Sequence, residues 1–257
     1  MQSNVARDPP PPVSGRRKSQ AMANNLIAES ISAAAHLLLD QDSTLIAITL
    51  LSIQVSATAT LMAAVLGLPL GAWVAFSHSR ARLPIVVLLN ASMGLPPVVV
   101  GLVVYLLLSR SGPLGPLGWL FTPAGMVLAQ TILITPIIAA LARQTIEDAH
   151  LNLRDWFSSL GLSAWQRVAA LLFEARFSLA VVLLAGFGRA IAEVGAVMIV
   201  GGNIAGSTRV MTTTIALETS KGDLPLALAL GALLVTLVLI INGVAQALKS
   251  WLEQRRG

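Results

Sequence analysis

The chain has 257 residues, 55% of them hydrophobic and only 11% charged, with a net charge of +5 and a mean hydropathy of +0.78. A soluble domain of this length carries roughly 25% charged residues, so a globule covered by water is excluded. Cysteine is absent, which rules out disulfides and thiolate metal sites, and the basic residues lie scattered in short linkers without the stripe and interleaved aromatics of a nucleic-acid surface.

Residues 1–24 hold Arg7, Arg16, Arg17, Lys18 and the run Pro9–Pro12, the composition of a disordered basic extension. In residues 25–42, Glu29, Ser32, His36 and Asp40 recur at helical spacing opposite Ile27, Ile31, Ala34 and Leu38. That pattern predicts an amphipathic helix lying in the membrane interface, since Leu26–Leu39 is too short to cross and carries Glu29 and His36. Its weak apolar core argues against a signal peptide.

Beyond residue 43 the chain offers long runs without Asp, Glu, Lys or Arg, and a helix needs about 20 mostly apolar residues to cross ~30 Å of hydrocarbon. Spans are predicted near Leu45–Phe76, Pro84–Leu108, Pro123–Leu141, Phe177–Val200 and Leu224–Leu248. The expected architecture is therefore all-α, a polytopic membrane bundle of about five transmembrane helices over residues 43–250, with residues 251–257 as a tail. Linkers with Arg80, Arg82, Arg143, Arg154, Arg167, Arg176, Lys249, Arg255 and Arg256 fall on one side, and those with Arg110, Arg209 and Lys221 on the other. The positive-inside rule assigns the first set, the C-terminus and the 143–176 loop to the cytoplasm. The N-terminus then lies outside, against the preference of its basic residues, a conflict that eases if Met22 is the natural start.

Gly94-Leu95-Pro96-Pro97 falls inside the second span. Paired prolines remove amide donors and break the helical ladder, and in a bilayer such a break survives only against protein or a water-filled cavity. It is read either as a simple kink or as a break lining a path.

In the cytoplasmic loop, Asp155, Trp156, Phe157, Ser158, Ser159, Leu160, Gly161, Leu162, Ser163, Ala164, Trp165, Gln166 and Arg167 form the informative stretch. Gly161 is placed to end one short helix, and Ser163 with Gln166 to open the next as a capping box. Its aromatics with a charged rim suit a protein-docking patch, or equally an amphipathic loop resting on lipid headgroups.

Arg189 and Glu193 stand four residues apart within the fourth span. Charges at that depth cost ~2.5–3.5 kcal/mol each on insertion scales and usually face protein or water. They form a structural ion pair, or else one of them lines the path, with Glu193 better suited to a gate or counter-ion than to an anion ligand. After them, Gly201, Gly202 and Asn203, read with Gly94, Pro96, Pro97, Arg189 and Glu193 as candidates for the translocation path or its gate, open an outward segment rich in Gly, Thr and Ser that runs to Asp223 and predicts a re-entrant or short surface helix. His36, His78 and His150 are dispersed, without the spacing of a metal site.

Asp155-Trp156-Phe157 stands where the cytoplasmic loop of binding-protein-dependent ABC importer permeases has Glu-Ala-Ala, Gly161 matches that loop's glycine, and Leu172-Phe173 replaces its closing Leu-Pro. Gly188–Ile204, Thr208–Asp223 and Gly94–Gly101 carry a more specific likeness. Over roughly Asn25 to the end, the chain resembles the tungstate-type branch of the oxyanion permeases. The resemblance implies a type I importer permease that passes a small oxyanion, tungstate first and molybdate next, by alternating access. It further implies a homodimeric pore in the cell (inner) membrane of a bacterium or archaeon, two copies of a cytoplasmic ABC ATPase, an extracytoplasmic oxyanion-binding protein, and Asp155–Arg167 as the segment that docks the ATPase. No cofactor and no catalytic residue is expected. The phosphate-gripping Gly-x-x-x-x-Gly-Lys-[Ser/Thr] loop is missing, and Lys18, Lys221 and Lys249 all lack its context. From the residues alone an ion-coupled secondary carrier using Glu193 is the alternative, though carriers usually show an internal repeat and none is found.

Overall fold

The structure, a computed structural model, describes residues 43–77, 79–80, 82–159 and 163–256, together with Ser32 and His36. The expected basic extension, nearly all of the expected interfacial helix, and Leu160, Gly161 and Leu162 lie outside the described residues. The described part is helical, in the order α1 (Ser43–Phe76), α2 (Arg82–Ser92), α3 (Pro97–Leu108), a 3-10 turn (Gly115–Leu117), α4 (Pro123–Ser159), α5 (Ala164–Ile191), α6 (Gly195–Gly201), α7 (Met211–Lys221) and α8 (Leu224–Arg256). No strand occurs among the described residues.

Among the described residues, four helices are long and apolar enough to cross a membrane: Ser43–Phe76, Pro123–Leu151, Gln166–Ile191 and Leu224–Ala247. α2 and α3, bent by 99° at their junction, make a fifth crossing when the pair is counted as one broken span. The expected all-α membrane bundle is thus what the chain forms. Two boundaries differ from expectation. The predicted fourth span runs through Val200, whereas α5 ends at Ile191 and α6 restarts at Gly195. The 143–176 stretch is also no free linker: α4 continues to Ser159 and α5 starts at Ala164. Once nucleated, adding residues such as Ala, Leu, Arg and Gln to an existing helix needs less free energy than opening a new turn, which is why both crossings extend past the apolar run.

Two helices, α1 and α4, form the tightest seam. A Cβ on Gly67 would lie 2.9 Å from the Thr135 carbonyl oxygen, and one on Gly71 2.5 Å from that of Ala139. With Ala59 and Ala63 fully buried on the same stripe, small residues let the two backbones approach. This is how membrane helices associate, because lipid removes the hydrophobic drive between them. Thr131, at this seam, donates its hydroxyl to the Val127 carbonyl at 2.7 Å, satisfying it within α4. The main core gathers around this pair from α3, α5 and α6, with Val104, Ala129, Ile134, Ile138, Ala196 and Val200 all buried.

Both Phe76 and Arg143 line one end of the bundle, whereas Ser43 and Arg209 line a groove at the other end of α1. Arg80, Arg82 and Arg143 are thus separated along α1 from Arg209, which the charge rule assigns to the opposite face.

Candidate functional site

The breaks in the second and fourth predicted spans meet. α3 begins at Pro97 and α6 at Gly195, and a Cβ on Gly195 would lie 2.8 Å from Val98 Cγ2 and 3.4 Å from the Val98 amide nitrogen. One turn on, a Cβ on Gly101 would come within 2.7 Å of the Ala196 Cα. Glycine at 101 and 195 is what allows two helix starts to lie side by side at the middle of the bundle.

The first break is open. Met93, Gly94, Leu95 and Pro96 are all exposed in the isolated chain, and Pro96 is extended at φ −63 and ψ 121 before Pro97 starts α3. Prolines at 96 and 97 bring no amide, and no side chain caps the helix. Exposed apolar residues Val98, Val99, Leu102 and Val103 continue this surface along α3.

The second break is closed. Glu193 is 4% exposed; one carboxylate oxygen takes the Arg189 guanidinium at 2.5 Å and the other accepts from the Ala196 amide at 3.3 Å. Its side chain therefore caps the start of α6 and neutralises a charge on the last turn of α5. Thr212 donates to the Glu193 carbonyl at 2.7 Å, and Gln130 Nε2 donates to the Ala190 carbonyl at 3.0 Å. The backbone groups freed by the break are thus taken up by side chains of α4 and α7. Arg189 remains 41% exposed on its far side. With both oxygens of Glu193 occupied, a proton-carrier role for it finds no support in the geometry.

Gly201, Gly202 and Asn203 serve the turn after α6. A Cβ on Gly201 would strike Met126 at 2.9 Å, and Gly202 sits at φ +70 with Phe121 2.8 Å from where a Cβ would be. Asn203 accepts from the Thr213 hydroxyl at 2.9 Å and donates to the Thr213 carbonyl at 3.3 Å. Thr208, wholly buried, donates to the Gly201 carbonyl at 2.5 Å. Ser52 of α1 receives the Met211 amide at 2.8 Å and so anchors the start of α7, the short helix expected in this segment.

In the expected docking stretch, Asp155–Ser159 form the last residues of α4, and Ser163 caps α5. The capping box is complete: the Gln166 amide donates to Ser163 Oγ at 3.4 Å, and the Ser163 amide donates to Gln166 Oε1 at 2.9 Å. Gln166 and Arg167 are exposed. Asp155–Ser159 and Ser163–Arg167 thus lie at the C-terminal end of α4 and the N-terminal start of α5.

Sequence reasoning missed Gln130 and Ser52, which tie the closed break and the start of α7 into the bundle, and it read Thr212–Thr214 as candidate anion contacts or ordinary loop residues and not as this tie. A lone amide in the apolar run of α4, and hydroxyls buried in helices that face lipid elsewhere, were the available signal.

Comparison with known proteins agrees with this architecture. Residues 67–257 match the family described as the binding-protein-dependent transport system inner membrane component. A probable anion ABC transporter permease protein of Haloferax volcanii is 40% identical over 83% of this chain and 94% of its own length. The tungstate uptake system permease protein TupB of Peptoclostridium acidaminophilum is 40% identical over 87% of this chain and 98% of its own. Its namesake in Campylobacter jejuni is 38% identical over 68% and 73%. With its broken, membrane-long apolar helices, the chain belongs to the inner-membrane permease components of binding-protein-dependent ABC transport systems.

Proposed function

We propose that this permease imports a small tetrahedral oxyanion, tungstate first and molybdate next, as a homodimer whose copies meet across the open break. As a permease of a binding-protein-dependent importer, it works with a separate ATP-hydrolysing subunit and a substrate-binding protein. In this reading two ATPase copies dock on the Asp155–Arg167 turns, the C-terminus faces the cytoplasm, and the N-terminus and the oxyanion-binding protein lie outside.

The observation that carries the reading is the pairing of one open break with one closed one. Backbone interrupted at membrane depth needs protein or water against it. The exposed Gly94 and Pro96 and the half-buried Pro97 meet this need if they line the path between two copies, with the half-exposed Arg189 offering its free edge to the anion. Glu193, Gly201, Gly202 and Asn203 are engaged within the chain and act as the scaffold behind that path. Tungstate is preferred because two relatives at 40% and 38% identity are named as tungstate uptake permeases.

The test is reconstitution in proteoliposomes with the cognate ATPase and binding protein. Tungstate uptake should need ATP inside the compartment holding the ATPase, and should exceed molybdate uptake. Trp165→Glu should leave ATP hydrolysis running while uptake falls by about tenfold or more, because interface anchors of this type carry roughly 2 kcal/mol or more. Uptake unaffected by Trp165→Glu would remove the docking assignment.

A further inference from the structure

At the end of the bundle opposite Arg209, between the C-terminal end of α1, the start of α2 and the middle of α4, lies a cavity of ≈ 640 Å³. It belongs to neither helix break. Arg82 and Arg143 share one carboxylate there: Arg82 Nη2 meets Glu147 Oε1 at 2.6 Å and Arg143 Nη1 meets Glu147 Oε2 at 2.6 Å. Each oxygen is used by one guanidinium. The Nε–H groups of Arg82 and Arg143 are buried and meet no hydrogen-bond acceptor among the described residues.

The electrostatics follow from the count. Two guanidinium groups around one carboxylate leave a net positive charge, Arg80 on the lining adds another, and Glu147 is the sole acid among the described lining residues. Glu147 at 26% and Arg82 at 42% side-chain exposure place the triad at the cavity wall, open to a ligand. The remaining walls are apolar, with Phe76 and Val86 inside and Leu83 and Leu151 at the rim, 73% and 67% exposed. A floor of unfilled guanidinium donors with a greasy rim fits an amphiphile with an anionic head. Guanidinium forks match a tetrahedral oxyanion, and basic pockets between membrane helices at the headgroup level favour phosphate.

We propose that this cavity binds a phosphate-type oxyanion at the membrane surface, the headgroup phosphate of an anionic lipid, through Arg82 and Arg143, with Glu147 offsetting only part of their charge. Free inorganic phosphate shares the donor chemistry but not the apolar rim, so the two sources are separable. The site requires only that this end of the bundle reach a bilayer surface, and so stands whichever anion is transported.

Native mass spectrometry of the full-length chain purified with its ATPase subunit tests this, using phosphatidylglycerol against phosphatidylcholine as added lipid. Phosphatidylglycerol should be retained in preference, and Arg82→Gln should weaken its first adduct by about tenfold, the worth of one charge-assisted hydrogen bond. Glu147→Gln separates binding from scaffolding: it frees both guanidinium groups from their acid, and retention should hold or rise. A parallel titration with inorganic phosphate, read by phosphorus NMR line broadening, identifies the source. Broadening that Arg82→Gln abolishes, without preference for phosphatidylglycerol, would assign the site to a free anion. Equal retention of the two lipids together with no phosphate broadening would overturn the proposal. So would matched loss of lipid in folded Arg82→Gln and Glu147→Gln proteins, which would make the triad a structural tie.

Discussion

Met93–Pro96 and Ala192–Val194 both interrupt a membrane helix, and the helices that restart from them touch through Gly101 and Gly195. They are finished in opposite ways. At Ala192–Val194 the chain supplies its own partners, with the carboxylate of Glu193 on the Ala196 amide, Arg189 on that carboxylate, and Gln130 and Thr212 on the neighbouring carbonyls. At Met93–Pro96 the chain deletes donors with proline and leaves the surface bare. A break closed by side chains is a fixed joint, whereas one closed by deletion needs a surface from elsewhere. The pairing of the two gives the bundle a rigid half and a half that can meet a second copy or water.

The largest effect is expected from opening the closed break. Arg189→Met leaves the carboxylate of Glu193, 4% exposed, without its cation, and breaking such a pair should cost about 3 kcal/mol. Unfolding in detergent, followed by helical circular dichroism, measures it. Combining Arg189→Met with Glu193→Gln should cost less than the sum of the two single changes, since the charge left stranded by the first is removed by the second. Additive costs would show that the pair does not hold the joint.

Next in size is Gly101→Ala. The added methyl meets the Ala196 Cα at 2.7 Å, a backbone atom that cannot turn aside, so α3 and α6 must part at a cost of about 2 kcal/mol. Thr212→Val keeps the shape but removes the donor to the Glu193 carbonyl, and the same unfolding assay should register a loss of about 1 kcal/mol. If Thr212→Val is neutral while Arg189→Met is severe, the joint is held by charge and not by its neutral hydrogen bonds.

The two breaks were not equally legible. Pro96 and Pro97 announce themselves, because proline's missing amide acts within one residue of its own position. Arg189 and Glu193 were visible as charges in an apolar run, but the run stays apolar through Val200, so nothing local said that the helix stops at Ile191. That stop depends on groups far along the chain, Gln130 and Thr212, which only the fold brings within reach. The span count was legible for the same reason as the prolines, since hydrocarbon thickness filters segment by segment. The α1–α4 seam was written in Gly67 and Gly71 at a spacing of four, a pattern that gains meaning only once the partner helix is known. Ser163 and Gln166 formed the box their spacing implied, because both bonds lie within one turn.

The smallest effect on the fold is expected at the open break, and it is the most informative about the path. A methyl group on Gly94 would meet no atom closer than the Ala91 carbonyl oxygen at 3.5 Å, an ordinary contact, and no left-handed backbone requires glycine there. Gly94→Ala should therefore shift unfolding by no more than about 0.5 kcal/mol, against roughly four times that for Gly101→Ala seven residues on. If two copies meet at this break, the methyl will register instead in the ratio of dimer to monomer in detergent, read by light scattering on the same sample. A change in that ratio at constant stability would place the break between copies. No change in either quantity would leave water as the surface against it and the dimer contact elsewhere, while a large loss of stability would mean that Gly94 is packed within its own chain after all, contrary to its exposure.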